Sequence, residues 1–116
     1  MNAPRPTLAD ARAALSAAFG YDQFRPGQEK AIESVLAGDD TLVVLPTGGG
    51  KSVCYQIPAL VLPGITVVVS PLISLMKDQV DALTARGLPA TFVNSTLSSS
   101  EVASRLARAM RGEVKL

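Results

Sequence analysis

Leu45-Pro46-Thr47-Gly48-Gly49-Gly50-Lys51-Ser52 directly follows the apolar run Thr41-Leu42-Val43-Val44-Leu45 and directly precedes a helix-compatible stretch. Strand, glycine loop, Lys-Ser and helix, in that order, is the layout of a phosphate-cradling P-loop. Three consecutive glycines let the backbone curl until successive N–H groups converge on one point. The helix behind them adds the positive end of its dipole there. On this reading Thr47, Gly48, Gly49 and Gly50 cradle phosphate, Lys51 reaches the β- and γ-phosphates, and the Ser52 hydroxyl ligates Mg²⁺. A glycine-rich turn alone is only a turn, but Lys-Ser at a strand-to-helix junction points to ATP or GTP. Lys51 and Ser52 are therefore the candidate catalytic residues.

Working outward, strands are expected at 41–45, 65–69 and 90–93, with a fourth beginning at 114–116. Helices are expected from Thr7 to Gly20, from Pro26 or Gly27 to Gly38, from Lys51 to about Leu62, from Leu72 to Arg86, and from Ser98 past Met110. Thr7 with Asp10, and Ser98 with Glu101, form capping-box spacings. Pro58 should kink or shorten the third helix. Leu72, Leu75, Met76, Val80 and Leu83 read as core. The alternation of strands and helices implies an α/β fold, a parallel sheet with helices on both faces. The run Ile65-Thr66-Val67-Val68-Val69 is apolar nearly throughout, as a strand covered on both faces would be.

Composition narrows the function. The chain has 116 residues, 47% of them hydrophobic and 4% aromatic, which suits one domain with an aliphatic core. A net charge of +1 supplies no global field for nucleic acid, so any DNA contact must be local. With no histidine and the single cysteine Cys54, the chain cannot hold an internal disulfide, a Cys/His zinc site or a Ser-His-Asp triad. Cys54 reads as a buried, inert thiol. Met1 to Pro6 reads as a loose tail without the apolar core of a signal peptide. Val53 to Val69 is interrupted by Gln56, Pro58, Pro63 and Gly64, so no membrane span is expected.

Upstream of the loop, Tyr21, Arg25 and Gln28 place an aromatic, a guanidinium and a carboxamide near a helix start. A Gln amide can accept from adenine N6 and donate to N7, and Tyr21 or Arg25 can stack on the purine. Ser70-Pro71 falls between a strand end and a helix start, the edge at which α/β sheets bind ligands. A hydroxyl and helix N-terminal amides there suit a DNA phosphate.

Several of these stretches together resemble the RecQ family of DNA helicases. Phe19-Gly20-Tyr21 with Phe24-Arg25-Pro26-Gly27-Gln28 resembles its motif 0. Pro46 to Ser52 with Cys54-Tyr55-Gln56-Ile57-Pro58-Ala59 resembles its motif I, and Val67 to Val80 its motif Ia. Asn94-Ser95-Thr96 resembles the next short element. A glycine is usual at position 45 of a P-loop, and Leu45 is no departure within this family. The resemblance spans about residues 8–116. It implies a RecA-like P-loop NTPase that couples ATP hydrolysis, with Mg²⁺, to 3′-to-5′ DNA unwinding in recombination and repair, in the cytoplasm or on a bacterial nucleoid. It also implies adenine contacts at Tyr21, Arg25 and Gln28, and DNA along Ser70, Pro71, Asn94 and Ser95. Such enzymes carry an Asp-Glu-x-His segment that this chain lacks. Residues 7–116 are accordingly expected to be the N-terminal part of a first motor domain, behind a flexible tail at 1–6. The alternatives are a stand-alone nucleotide-binding module and, against the motif 0 and Ia matches, a P-loop kinase or transporter subunit.

Overall fold

A computed structural model describes residues 4–46 and 50–116. It contains five helices: α1 (Leu8–Phe19), α2 (Gln28–Leu36), α3 (Val53–Val61), α4 (Ile73–Ala85) and α5 (Ser99–Met110). The chain divides into two compact units, Met1–Pro63 and Gly64–Leu116.

The first unit is a three-helix cluster. α1 starts at the expected capping box: Asp10 N–H donates to Thr7 Oγ1 (3.4 Å) and Thr7 N–H to Asp10 Oδ2 (2.7 Å). It ends on Gly20, whose left-handed φ of 74° closes the helix by donating to Ser16 O. α2 and α3 begin one to two residues later than expected. Pro58 lies inside α3, which continues past it to Val61, and its carbonyl accepts from Leu62 N–H at 2.8 Å. The missing proline N–H therefore does not end the helix. All three helices pack on one another around Ala11, Leu15, Ile32, Leu36 and Ile57, with Phe19 and Phe24 packed against this cluster. Each fully buried aliphatic side chain contributes about 1.5–3 kcal/mol of transfer free energy. Arg5 extends the unit upstream by donating from its guanidinium to Ala37 O at the end of α2, where a cation meets the negative pole of the helix.

In the second unit, α5 opens on Ser98, whose Oγ accepts from Glu101 N–H (3.2 Å). Arg105 of α5 lies over the Phe92 ring, its guanidinium carbon 4.4 Å from the centroid, and donates to Phe92 O at 3.1 Å. α4 buries only Leu83, while Leu72 and Leu75 are half exposed. The expected core stripe on this helix is therefore not found: helical spacing defines a face but not what covers it.

The parallel sheet is also not found, since none of the described residues forms a strand. Leu42, Val44, Val67 and Val69 are 91, 83, 79 and 90% exposed. In the second unit, Thr66 N–H donates to Lys115 O, and two bonds, Lys115 N–H to Pro89 O and Thr91 N–H to Leu116 O, join 89–91 to 115–116. Isolated bonds do not make a ladder, and a strand exists only through its partners. An apolar run favours burial but does not specify a pairing partner. No helix among the described residues is long and apolar enough to cross a membrane.

Two outcomes follow for the first unit. Ile57→Ala should destabilise the chain by about 2–5 kcal/mol, whereas Leu42→Ala should stay within about 0.5 kcal/mol of the parent. Urea unfolding followed by circular dichroism checks the contrast. Cys54 is buried at the start of α3, and desolvation pushes its thiol above the ordinary 9.0, against a smaller lowering by a backbone hydrogen bond. At a pH near 8.5 the folded chain should thus hold less thiolate than the unfolded chain and react more slowly with a disulfide reagent. Equal rates with and without urea would contradict this.

Candidate nucleotide-binding site

The turn before α2 and the loop before α3 meet within the first unit. Gly27 is the N-cap of α2 at φ 88°, a left-handed value natural to glycine. A Cβ there would stand 2.8 Å from Leu45 Cδ2, so only glycine lets the turn close on the residue that leads into the P-loop. The next residue, Gln28, is buried. Its Oε1 accepts from Arg25 N–H (2.8 Å), its own N–H donates to Arg25 O (3.1 Å), and its Nε2 donates to Gly50 O (3.0 Å). The carboxamide thus joins the motif 0 turn to the last glycine of the loop.

Gly50 has φ 73°, and a Cβ on it would collide with Gln28 Nε2. Its carbonyl also accepts from Val53 N–H at 3.3 Å, which starts the turn into α3. Lys51 follows, exposed, and Ser52 is the N-cap of α3. Ser52 Oγ makes no capping hydrogen bond to the helix. No group of three or more His, Cys, Asp or Glu side chains able to hold a metal occurs among the described residues.

Of the expected nucleotide contacts, the structure brings Arg25, Gln28 and Gly50 together. Arg25 Cδ would lie 3.9 Å from a Cβ on Gly50. Tyr21 is 53% exposed, in the segment between α1 and α2. Thr47, Gly48 and Gly49 lie outside the described residues. A cleft of about 580 Å³ borders the same turn, lined by residues including Phe24, Arg25, Pro26, Gly27 and Lys30; Gln28 and Gly50 do not line it. The approach of Gly27 to Leu45 was missed in the sequence. The only signal for it was a Pro-Gly step at a helix start.

The expected DNA contacts belong to the second unit. Ser70 Oγ accepts from Leu72 N–H (3.3 Å), in a turn leading into α4. Pro71 is exposed beside it. Asn94 Oδ1 accepts from Thr96 N–H (2.9 Å) and Thr96 Oγ1 (2.5 Å), a local Asx turn that leaves Ser95 exposed at its tip. Lys77 pairs with Asp81 one helical turn on, at 2.5 Å. The hydrogen bond and charge of Asp81 raise its ammonium pKa.

Comparison with known proteins agrees with this arrangement. The family described as DEAD/DEAH box helicase matches residues 25–115. The chain is 53% identical over 107 residues to the ATP-dependent DNA helicase RecQ of Bacillus subtilis (strain 168), covering 91% of this chain and 18% of that protein. It is 53% identical over 102 residues to the RecQ helicase of Pasteurella multocida (strain Pm70), covering 88% and 16%. With the ATP-dependent DNA helicase Q-like 5 of Arabidopsis thaliana the identity is 55% over 87 residues, covering 75% and 9%. The chain thus spans less than a fifth of the length of each of these relatives. A glycine loop tied to an upstream glutamine, together with a family match over most of the chain and identity above one half to RecQ proteins, places this chain in the DEAD/DEAH box helicase family, among its RecQ-like members.

Proposed function

We propose that this chain is the ATP-gripping part of a RecQ-type, ATP-dependent 3′-to-5′ DNA helicase acting in recombination and repair. Residues 7–116 form the N-terminal part of its first motor domain. The observation that carries the reading is the Gln28–Gly50 bridge, because it locks the base-side turn to the phosphate-side loop.

In this reading Tyr21 and Arg25 flank the adenine, and the Gln28 carboxamide sets its selectivity at the same turn. Thr47, Gly48, Gly49 and Gly50 offer main-chain N–H groups to the phosphates. Lys51 supplies the cation for the β- and γ-phosphates, and the Ser52 hydroxyl holds Mg²⁺, which when bound neutralises charge developing on the terminal phosphate. Ser70, Pro71, Asn94 and Ser95 lie along single-stranded DNA, with exposed Ser95 and Pro71 as the accessible points. On this reading the protein acts in the cytoplasm, on the nucleoid if bacterial.

Lys51→Ala in the protein at full natural length should lower DNA-stimulated ATP turnover by at least about a hundredfold, since it removes a preorganised positive charge from the transferring phosphoryl group. Phosphate release is the measurement, and near-normal turnover would refute the assignment. Gln28→Ala removes the bridge to Gly50 and the bond to Arg25 N–H, and with them the shape of the turn proposed to face the adenine. It should weaken ATP binding and narrow the preference for ATP over GTP. A competition titration that leaves the preference intact would remove Gln28 from base recognition.

A further inference from the structure

Immediately after Gln28, the Glu29 carboxylate leaves the first turn of α2 toward α1. Its Oε1 lies 2.5 Å from Arg12 Nη2. This is the charged tie between the two helices at the end of α2 that carries the loop-holding glutamine. The far end of α2 is held by Arg5 at Ala37 O. Between them the apolar contacts of Leu15, Ile32 and Leu36 fix the distance between α1 and α2, but they are non-directional and tolerate small rotations. Gln28 does not tolerate them. Its Nε2 sits 3.0 Å from Gly50 O and tight against the position of the absent Gly50 Cβ, so a small rotation of the first turn changes the hold on the loop. A hydrogen bond weakens steeply as it bends or lengthens.

We infer that Arg12 and Glu29 form a positioning pair for the nucleotide site: their ion pair sets the rotation of the first turn of α2 and, through Gln28, the placement of Gly50. Arg12 does not line the cleft beside the motif 0 turn, whereas Glu29 borders it, so Arg12→Glu is the cleaner probe of positioning. The inference rests on the ATP-binding reading above. Both side chains are about half exposed, so the pair is modest in strength and screened by salt.

The test uses the protein at full natural length and a fluorescent ATP analogue, with melting temperature read alongside. Arg12→Glu should weaken analogue binding about two- to fivefold, and Glu29→Arg should do the same. The charge-swapped double variant should restore the affinity. At about 1 M salt, where the Debye length is roughly 3 Å, the gap between parent and single variants should close. Arg12→Gln is the milder variant should the reversals fail to fold, with a smaller loss expected. A merely structural pair would shift the melting temperature and leave the affinity unchanged. That result, or a loss that the swap does not repair, overturns the inference. Failure of the unaltered protein to bind the analogue overturns the ATP-binding reading itself, and this one with it.

Discussion

One hydrogen bond, from Gln28 Nε2 to Gly50 O, organises the first unit around its purpose. Its donor is buried, so loss of the bond would cost the Gln28 amide a partner in low dielectric, while Gly50 O keeps the Val53 N–H. The surrounding features serve that contact. Gly27 lets the turn approach Leu45, Gly50 leaves room for the amide, and the three-helix core holds α2 and α3 at the spacing the bond requires. A phosphate-binding loop needs this kind of external support. Its glycines lose more conformational entropy on ordering than any other residues, and they have no side chains with which to hold themselves in place.

The second unit is held differently. Its helices bury little, with Leu83 the buried residue of α4 and none on α5. Polar devices do much of the anchoring: the Ser98 cap, the Arg105 guanidinium over Phe92, and the backbone bonds that converge on Lys115. Exposed aliphatic side chains at Val67 and Val69 accompany this arrangement.

Helices were legible because their signals are local. The Thr7–Asp10 box, the Ser98 cap on Glu101 N–H and the glycine behind α1 mark ends through bonds between residues three or four apart. The entry into α3 was legible for a similar reason, since Gly50, Lys51 and Ser52 form one short run ahead of it. The sheet was not, because pairing depends on residues far away in the chain. Leu42-Val43-Val44 carries the hydrophobicity of a covered strand and no information about what lies beside it. Gln28 falls between these cases. Its type and place pointed to a nucleotide site, but its bond to Gly50 spans 22 positions, and no periodicity announces such a contact. The Arg12–Glu29 pair was invisible for the same reason.

The guanidinium of Arg5 has a practical corollary for anyone trimming this polypeptide. Cutting at Thr7, where helical order begins and where a boundary would naturally be drawn, discards the cation that sits on the closing carbonyl of α2. A shortened version would then carry an uncompensated dipole at the opposite end of the rod from its glutamine. An affinity handle fused tightly ahead of Pro4 would crowd the same corner.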